Sequence, residues 1–423
     1  MKRKAVLVGV NVKNNHEEFE HSIQELENLA AACNIDTVGV ITQNLDRVNQ
    51  GHYIGTGKIE KLQAMVNEKE ANVVIFDDEL SSSQIRNLES SLDCGVIDRT
   101  VLILEIFAKR AKTRESKLQV EIARLRYMLP RLIGSRESLG RQGGGAGLKN
   151  RGAGETKLEL DRRKVEVKIA QLNKELENVV DQRKTQRKKR NKNDIPVVSL
   201  VGYTNAGKST MMNAVLELFN NEMDKQVFEK DMLFATLETS VRKVKLATNQ
   251  TFLLTDTVGF INKLPHHLVK AFRSTLEEVI EADVLIHVID VSNPYHEEQR
   301  KLTNEIMQEI GIEDIPIIYA YNKADLSDRK FPAVENNCVY LSARNKVGIG
   351  AIAQLISEYI FEDYIQYELL IPYTDGHVVS YFNEHGNVLQ EDYEMEGTKL
   401  IVECKIADAE KFEQYVRNTK KEV

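Results

Sequence analysis

Residues 197–210, VVSLVGYTNAGKST, restrict the fold of this chain more than any other stretch. An apolar run typical of a buried strand leads into Gly202, and Gly-Lys-Ser follows at residues 207–209, before a helix-forming sequence. This is GxxxxGK[ST] between a strand and a helix, where glycines let the backbone wrap around a phosphate and the helix N-terminus attracts its charge. A glycine-rich turn that arose by chance is the alternative, and it explains the strand–loop–helix frame less well. The stretch therefore predicts a nucleotide-binding loop.

Two side chains of this loop are expected to contact the triphosphate and its metal ion. Lys208 can reach the β- and γ-phosphates, and the Ser209 hydroxyl can bind Mg²⁺. The nucleotide-binding residues predicted in the loop are Gly202, Tyr203, Thr204, Asn205, Ala206, Gly207, Lys208, Ser209 and Thr210.

A second motif, further along the chain, concerns the base. An apolar run at residues 317–321 predicts a buried strand, and Asn-Lys-Ala-Asp follows at its carboxyl end. The Asp325 carboxylate can accept two hydrogen bonds from guanine, whereas adenine has no donor at either position and leaves the carboxylate unpaired. A polar helix N-terminus is the alternative. The predicted guanine pocket consists of Asn322, Lys323, Ala324, Asp325, Ser342, Ala343 and Arg344.

A third motif lies between these two. The strand-like residues 252–255 run into Asp-Thr-Val-Gly, where Asp256 is expected near Mg²⁺ through a water and the Gly259 N–H is expected to bond the γ-phosphate. In the switch loop before it, the Thr236 hydroxyl is the candidate second protein ligand of Mg²⁺. The nucleotide-binding residues predicted here are Phe234, Ala235, Thr236, Leu237, Glu238, Asp256, Thr257, Val258 and Gly259. Motifs in this order predict a P-loop GTPase that binds GTP and GDP and requires Mg²⁺.

The residue after Asp-Thr-Val-Gly bears on the rate of hydrolysis. Ras-like GTPases place a glutamine there to orient the attacking water, whereas this chain has Phe260, which donates no hydrogen bond. Slow intrinsic hydrolysis is expected, with the alignment supplied by another loop or a partner; packing of the ring against the switch is a compatible alternative. The residues predicted to act in catalysis are Lys208, Thr236, Gly259 and Phe260.

Residues 1–108 alternate strand and helix patterns, and such βαβ alternation predicts a parallel α/β domain. Residues 55–58, Gly-Thr-Gly-Lys, are reminiscent of a second phosphate loop. However, His52 stands where the first glycine belongs, and Ile59 replaces the serine or threonine. A plain turn before a helix that starts at Ile59 is therefore favoured over a nucleotide loop.

Residues 109–194 carry two apolar stripes at helical spacing, on either side of a glycine-rich, basic stretch at residues 134–154. They predict an antiparallel αα-hairpin with a long tip loop. Bare backbone and arginine side chains at such a tip suit contact with an RNA backbone, although a solvated charged face is the ordinary alternative. The RNA-contact candidates are Arg136, Arg141, Lys149 and Arg151.

The P-loop GTPase domain, with a doubly wound sheet, is expected to span residues 195–362. Residues 363–423 show strand and helix patterns in the order β-α-β-β-α, with a terminal helix predicted over residues 407–420. They carry no chemical motif, so a small α+β C-terminal domain is expected and its role is not readable from the sequence.

Composition indicates the setting. Hydrophobic residues make up 42% of the chain and charged residues 29%, as in ordinary globular proteins. No apolar run reaches the roughly 18 residues of a membrane span, there is no signal-peptide pattern, and the 4 cysteines are scattered. A cytoplasmic protein with reduced thiols, monomeric when free, is therefore expected.

The ordered motifs resemble the Obg–HflX branch of GTPases, and other matches narrow the resemblance to the HflX family. They are YIGTGK at residues 53–58, Asp98-Arg99-Thr100, Gln119-Val120-Glu121-Ala123-Leu125, and GGGAGLKNRGAGE ending at Glu155. The resemblance covers almost the whole chain. It implies a cytosolic GTPase that binds the large ribosomal subunit and its RNA and acts in ribosome splitting, rescue or biogenesis under stress. A ribosome-binding factor in which hydrolysis is incidental is the alternative.

Two features depart from the family pattern. Residues 235–241 read ATLETSV where the family commonly has ATLDPTT or ATLDTTT, which leaves the behaviour of the switch loop after Thr236 open. Some family members are described as using ATP at the N-terminal region. The incomplete loop at residues 55–58 does not support that activity here.

Overall fold

The computed structural model describes the backbone of residues 3–12, 16–134, 150–191, 195–219, 233–234, 239–246, 250–265, 268, 279–312, 314–361 and 364–420. Side chains are described for the same residues except 132–134, 150–158, 183–191 and 420. Among the helices in these ranges, none is long and apolar enough to cross a membrane.

The N-terminal domain is a parallel sheet with helices packed on it. Its elements are β1 (Arg3–Asn11), α1 (His16–Ala32), β2 (Ile35–Asn44), α2 (Thr56–Lys69), β3 (Val73–Phe76), α3 (Ser82–Leu92) and β4 (Gly95–Asp98). The strand order is β2-β1-β3-β4. In β1, Val6 and Val8 pack into one hydrophobic cluster and Leu7 into another, so the strand is buried on both faces. The predicted parallel α/β fold of this domain is confirmed.

The stretch at residues 55–58 opens a helix. Gly55 precedes α2, its N–H donates to the side-chain oxygen of Gln43 (3.0 Å), and Thr56 is the first helical residue. The helix predicted to start at Ile59 therefore begins earlier, at Thr56.

A helical hairpin follows. After α4 (Arg99–Arg110), which ends the N-terminal domain, it is built from α5 (Arg114–Gly134) and α6 (Asn150–Asn191). Ion pairs join Lys168 to Glu121 (2.9 Å) and Arg114 to Glu175 (3.1 Å). Because residues early in α5 face residues late in this part of α6, the two helices run antiparallel, as predicted.

The tip loop is shorter than predicted. Since α6 begins at Asn150, residues 150–154 of the predicted 134–154 loop are helical, and the prediction is wrong at that end. Once a helix is nucleated, each added residue gains a hydrogen bond, so a few glycines at its end do not stop it. Residues 135–149, with Arg136, Arg141 and Lys149, lie outside the described residues, as does the Arg151 side chain.

The nucleotide domain is a doubly wound sheet of mainly parallel strands. Its elements are β5 (Val197–Gly202), α7 (Lys208–Phe219), β6 (Ser240–Lys245), β7 (Thr251–Asp256), β8 (Val284–Asp290), α8 (His296–Glu309), β9 (Ile317–Asn322), β10 (Ala333–Glu335), β11 (Cys338–Tyr340) and α9 (Ile349–Ile360). The order is β10-β11-β9-β8-β5-β7-β6, and only the edge strands β6 and β10 pair antiparallel among the described strands. The predicted fold class is confirmed, and the phosphate loop follows the interior strand β5.

The C-terminal domain is an antiparallel sheet with order β13-β14-β12-β15. Its elements are β12 (Tyr364–Ile371), α10 (Gly376–His385), β13 (Asn387–Glu394), β14 (Gly397–Lys405), α11 (Ile406–Lys411) and β15 (Val416–Lys420). The terminal helix predicted over residues 407–420 is wrong, because α11 ends at Lys411 and β15 pairs with β12. The β-branched Val416 and Thr419 favour a strand, and pairing covers an otherwise open sheet edge.

The N-terminal and nucleotide domains share one hydrophobic core. The cluster that contains Leu7 of β1 also contains Tyr203 and Ile261 of the nucleotide domain. The rings of Phe107 in α4 and Phe234 meet edge to face, with centroids 4.7 Å apart. The phosphate loop and the segment after β7 therefore lie against the N-terminal domain.

Candidate functional site

Two glycines shape the loop between β5 and α7. Gly202 has φ +143° and Gly207 has φ +96°, a region that side chains rarely adopt. A Cβ at Gly202 would lie 2.2 Å from the Val288 carbonyl oxygen, and one at Gly207 would lie 2.3 Å from the side-chain nitrogen of Asn322. The loop therefore packs so closely against β8 and β9 that a side chain at either glycine would clash with these strands.

Lys208 is buried at the first position of α7. Its ammonium donates to the carbonyl oxygens of Gly202 (3.1 Å) and Tyr203 (2.8 Å). Burial lowers the pKa of Lys208 to about 8, and the charge of Asp256 opposes that shift. An ammonium that has already lost its water gains more from an anion than an exposed one does.

Ser209 and Asp256 bring two oxygen ligands together. The Ser209 hydroxyl donates to the Asp256 carboxylate over 2.6 Å, across the gap between α7 and the end of β7. A hydroxyl and a carboxylate are ligands that Mg²⁺ takes, with water and phosphate oxygens completing its shell. No group of three or more His, Cys, Asp or Glu in the part of the chain described here could hold a metal ion. The pair fits a metal that arrives with a nucleotide.

Thr204 contributes a further polar group to the loop. Its side-chain oxygen is buried and has no hydrogen-bond partner among the described residues. Beside it, Thr257 donates from its hydroxyl to the Leu200 carbonyl oxygen (2.7 Å), which fixes the segment after β7 against β5. Asn205, at φ +62°, is the exposed residue of the loop, and Ala206 is buried. Thr210 lies half-buried in the first turn of α7.

The backbone after β7 is bonded to the phosphate loop. The Thr204 N–H donates to the Phe260 carbonyl oxygen (2.7 Å), and the Phe260 N–H donates to the Gly202 carbonyl oxygen (3.1 Å). Gly259, the residue before Phe260, lies close to Lys208: a Cβ built on it would be 2.8 Å from the Lys208 ammonium. The Phe260 ring is buried in a hydrophobic cluster with Val201. Its side chain therefore packs in the core.

Asn322 joins the phosphate loop to the two segments of the predicted guanine pocket. Its side-chain nitrogen donates to the Ala206 carbonyl oxygen (2.9 Å), and its side-chain oxygen accepts from the Ala343 N–H (2.9 Å). Lys323, at φ +61°, pairs with Asp290 (2.8 Å).

The other pocket residues lie beside this network. The Ala324 N–H donates to the Leu341 carbonyl oxygen (3.0 Å), and the Ser342 hydroxyl accepts from the Asn345 N–H (3.2 Å). Asp325 is half-buried and Arg344 is exposed. The structure thus brings the first and second motifs together at the carboxyl ends of β5 and β9.

The predicted switch loop is only partly described. Phe234 is buried, has φ +52° and contacts α4 through Phe107. Residues 235–238, which include Ala235, Thr236, Leu237 and Glu238, lie outside the described residues. The metal and catalytic roles assigned to Thr236 stay predictions.

Sequence reasoning missed a buried polar cluster beside the phosphate loop. Arg99 is 1% exposed and forms ion pairs with Glu25 and Asp77, each at 2.6 Å. The Tyr203 hydroxyl donates to Glu25, and Lys263 pairs with Asp77. The only sequence signal was the Asp98-Arg99-Thr100 triplet, since the partners are far apart in the chain.

Models of known protein families match three consecutive segments. They are a GTP-binding GTPase N-terminal model at residues 20–108, a GTP-binding GTPase middle-region model at residues 110–190, and a 50S ribosome-binding GTPase model at residues 197–323.

Relatives match almost the whole of this chain. GTPase HflX of Caldanaerobacter subterraneus subsp. tengcongensis is 43% identical, over 96% of this chain and 92% of the relative. GTPase HflX of Escherichia coli (strain K12) is 39% identical, over 95% of this chain and 94% of the relative. A GTP-binding protein from Sulfolobus solfataricus, solved with GDP, is similar at a TM-score of 0.44 and 24% identity, over 85% of this chain and 99% of that one.

Proposed function

The chain belongs to the HflX family of GTPases and hydrolyses GTP to GDP and phosphate, and we propose that this hydrolysis requires Mg²⁺ and controls attachment to the large ribosomal subunit. The observation that carries the nucleotide assignment is that the Asn322 side chain donates to the Ala206 carbonyl oxygen and accepts from the Ala343 N–H. They hold the phosphate loop and the base-reading loops in one rigid unit. Asp325 then selects guanine by accepting from its N1–H and amine.

In this proposal the phosphates replace the present acceptors of the loop. The Lys208 ammonium exchanges the carbonyl oxygens of Gly202 and Tyr203 for β- and γ-phosphate oxygens. Backbone N–H groups at the start of α7 bind the phosphates as at other helix N-termini. The buried Thr204 hydroxyl can donate to the same oxygens. The Lys208 and Thr204 donors are already removed from water, so their contact with charge is strong.

Ser209 and Asp256 are the residues that would hold Mg²⁺, with Thr236 as the further candidate ligand. When bound, the ion neutralises charge that develops on the β- and γ-phosphate oxygens. The 2.6 Å hydrogen bond between Ser209 and Asp256 keeps the two oxygens together at the start of α7.

Phe260 stands at the position from which Ras-like GTPases orient the attacking water. Its ring is buried with Val201 and Leu285, and phenylalanine carries no polar atom with which to orient water. We therefore expect the attacking water to be aligned by backbone or by a group from a partner, and the isolated protein to be a slow enzyme.

The ribosomal partner is proposed from the family and from the helical hairpin. The 50S ribosome-binding GTPase model matches the nucleotide domain, and exposed basic side chains such as Lys117 and Arg124 lie on α5. Together with the candidates Arg136, Arg141, Lys149 and Arg151, they offer charge to RNA phosphates. The proposed outcome is splitting or rescue of ribosomes under stress by a cytoplasmic protein that is monomeric when free.

Cosedimentation with separated ribosomal subunits tests this proposal. We expect the protein to sediment with large subunits in the presence of a non-hydrolysable GTP analogue, and much less with GDP. Equal sedimentation with both nucleotides would favour the alternative, a ribosome-binding factor in which hydrolysis is incidental. Light scattering of intact ribosomes then separates splitting, which lowers the signal, from binding alone.

A further inference from the structure

The crevice at the carboxyl ends of β1 and β3 is the place where a sheet of this topology ordinarily binds a ligand. The strand order β2-β1-β3-β4 reverses direction between β1 and β3, and ligands of open parallel sheets bind at such a reversal. Asp77 and Asp78 directly follow β3, and the Asp77 N–H donates to the Val8 carbonyl oxygen of β1 (2.9 Å). Two carboxylates therefore stand at the mouth of this crevice.

The nucleotide domain itself supplies the group that occupies the crevice. Lys263 pairs with Asp77 and also with Asp78, at 2.6 Å from the latter. Lys263 has φ +55° and closely follows the Asp-Thr-Val-Gly motif. We call residues 259–263 the switch segment. Its last residue, Lys263, thus occupies with its own side chain the place where a ligand would bind in the N-terminal domain.

Arg99 fixes the neighbouring residue of the switch segment. Its guanidinium donates to Asp77, Glu25 and the Ser22 carbonyl oxygen (2.8 Å) inside the N-terminal domain, and across the interface to the Asn262 carbonyl oxygen (3.2 Å). Burial opposes the charge of Asp77, but Arg99 and Lys263 hold its pKa at about 2. Asp77 therefore stays ionised at physiological pH.

Tyr203 connects this cluster to the phosphate loop. Its hydroxyl accepts from the Asn262 N–H (2.7 Å) and donates to Glu25, which also binds Arg99. Both backbone groups of Asn262 are thus bonded, one to the phosphate loop and one to the N-terminal domain. Movement of the switch segment must break contacts to both.

The other end of the switch segment lies beside Lys208 and is hydrogen-bonded to the phosphate loop. The γ-phosphate of GTP contacts the loop lysine and the glycine N–H of the third motif. Here the Gly259 backbone lies directly against the Lys208 ammonium and the Thr204 Cα, each 2.8 Å from a Cβ built on that glycine. The Thr204 N–H is bonded to the Phe260 carbonyl oxygen. GDP places no phosphate between the Lys208 ammonium and the Gly259 N–H, whereas a γ-phosphate that contacts both groups must part them, so GTP requires the segment to shift away from the loop lysine.

We propose that Lys263 and Asp78 are specificity-determining residues that make this conformation favour GDP over GTP, because their pairing holds the switch segment against the phosphate loop. The inference rests on the proposed γ-phosphate contacts. GTP binding and release of Lys263 from the crevice are then one coupled event, and the coupling is reciprocal. Docking of the N-terminal domain lowers affinity for GTP, and GTP weakens that docking.

The test is the ratio of dissociation constants for a non-hydrolysable GTP analogue and for GDP, measured with the full chain. Lys263→Met keeps the aliphatic stem and removes the charge. We expect it to lower this ratio by about fivefold or more, with GDP affinity unchanged, because it removes the half-exposed pair with Asp78 together with the pair to the buried Asp77. Lys263→Arg keeps the charge and should restore the ratio to within about twofold of the original protein.

Lys399→Met is the matched control. It breaks the pair with Glu368 (2.8 Å) in the C-terminal domain, whose side-chain exposures of 28% and 30% resemble the 35% and 34% of Lys263 and Asp78. Asp78→Asn removes the charge of the acidic partner of Lys263 and should also lower the ratio. It keeps the proposal testable if Lys263→Met fails to fold. Hydrogen exchange of the switch segment should be faster with the GTP analogue than with GDP in the unchanged protein.

The results distinguish failure of the specificity role of Lys263 and Asp78 from failure of the proposed γ-phosphate contacts. If Lys263→Met and Asp78→Asn both keep the original ratio, as Lys399→Met is expected to do, the specificity role of this pair is wrong while the GTP site stands. If the unchanged protein binds GDP but no GTP analogue, and neither variant gains that binding, the proposed γ-phosphate contacts are wrong as well.

Discussion

The side-chain nitrogen of Asn322 lies 2.9 Å from the carbonyl oxygen of Ala206, so the end of β9 is hydrogen-bonded to the middle of the phosphate loop. The same side chain accepts from Ala343. One asparagine therefore sets the distance between the groups that bind phosphate and those that read the base. We therefore expect substitutions in the phosphate loop or in the base-reading loops to change nucleotide affinity as well as folding stability.

Lys208→Ala should nearly abolish GTP binding. The substitution removes a buried ammonium whose contact with phosphate is worth at least about a hundredfold in affinity. Titration calorimetry with GTP and GDP measures the loss, and Lys399→Ala in the C-terminal domain is the control. Near-normal affinity in Lys208→Ala would show that residues 202–209 are not the phosphate loop.

Asp325→Asn should weaken GTP and improve binding of xanthosine triphosphate. The carboxylate accepts hydrogen bonds from two guanine donors. In asparagine the amide NH₂ would face one of these donors, and such a donor–donor contact is repulsive. Xanthine has a carbonyl where guanine has its amine, which restores the pairing. Competition assays with GTP, ATP and xanthosine triphosphate measure the exchange. If ATP competes with GTP equally in the unchanged protein, Asp325 does not read the base.

Nucleotide binding should take up a proton at alkaline pH. Burial lowers the pKa of Lys208 to about 8 despite the opposing charge of Asp256, so the free protein loses this proton as the pH rises through that value. Bound phosphates raise the pKa and keep the group charged, and GTP affinity should fall by up to about tenfold per pH unit above it.

Calorimetry in two buffers of different ionisation enthalpy measures this proton directly. The same experiment near pH 6.5, where Lys208 is charged in both states, is the internal control. Equal proton uptake at both pH values would assign it to another group.

The sequence predicted those parts of the fold that depend on local pattern. The buried strands β5, β7 and β9 are short apolar runs, each followed directly by polar residues, so their carboxyl ends could be placed together from their order alone. Strand β15 was missed because the strand preference of Val416 and Thr419 is weak over so few residues, and pairing with β12 is what stabilises the strand.

The domain interface could not be predicted, because it depends on contacts between distant residues. Tyr203 occupies a variable position of the loop pattern, and its partner Glu25 reads as an ordinary charged residue of an amphipathic helix. Arg99 was noticed only within a triplet shared with a family. Its ion pairs with Glu25 and Asp77 form within the N-terminal domain and its hydrogen bond to Asn262 crosses to the nucleotide domain, and no local pattern encodes such tertiary contacts.

Replacing residues 140–149 with a short neutral linker should leave GTP affinity unchanged and weaken binding to large ribosomal subunits. The replacement removes Arg141 and Lys149 but stops before Asn150, where α6 begins. Removing one cation that binds an RNA phosphate should lower the slope of log affinity against log salt by about one unit. If subunit affinity and salt slope both survive, the exposed basic residues of α5 become the better RNA-contact candidates.

Stimulation of hydrolysis tests the central claim most directly, that this GTPase acts on the large ribosomal subunit. Phe260 is buried and has no polar atom to align water, so the isolated protein should hydrolyse GTP slowly. Multiple-turnover phosphate release, measured with and without purified large subunits, should rise by about tenfold or more with subunits, the scale of one supplied catalytic group. An isolated protein that is already at full rate and does not respond to subunits would contradict the account.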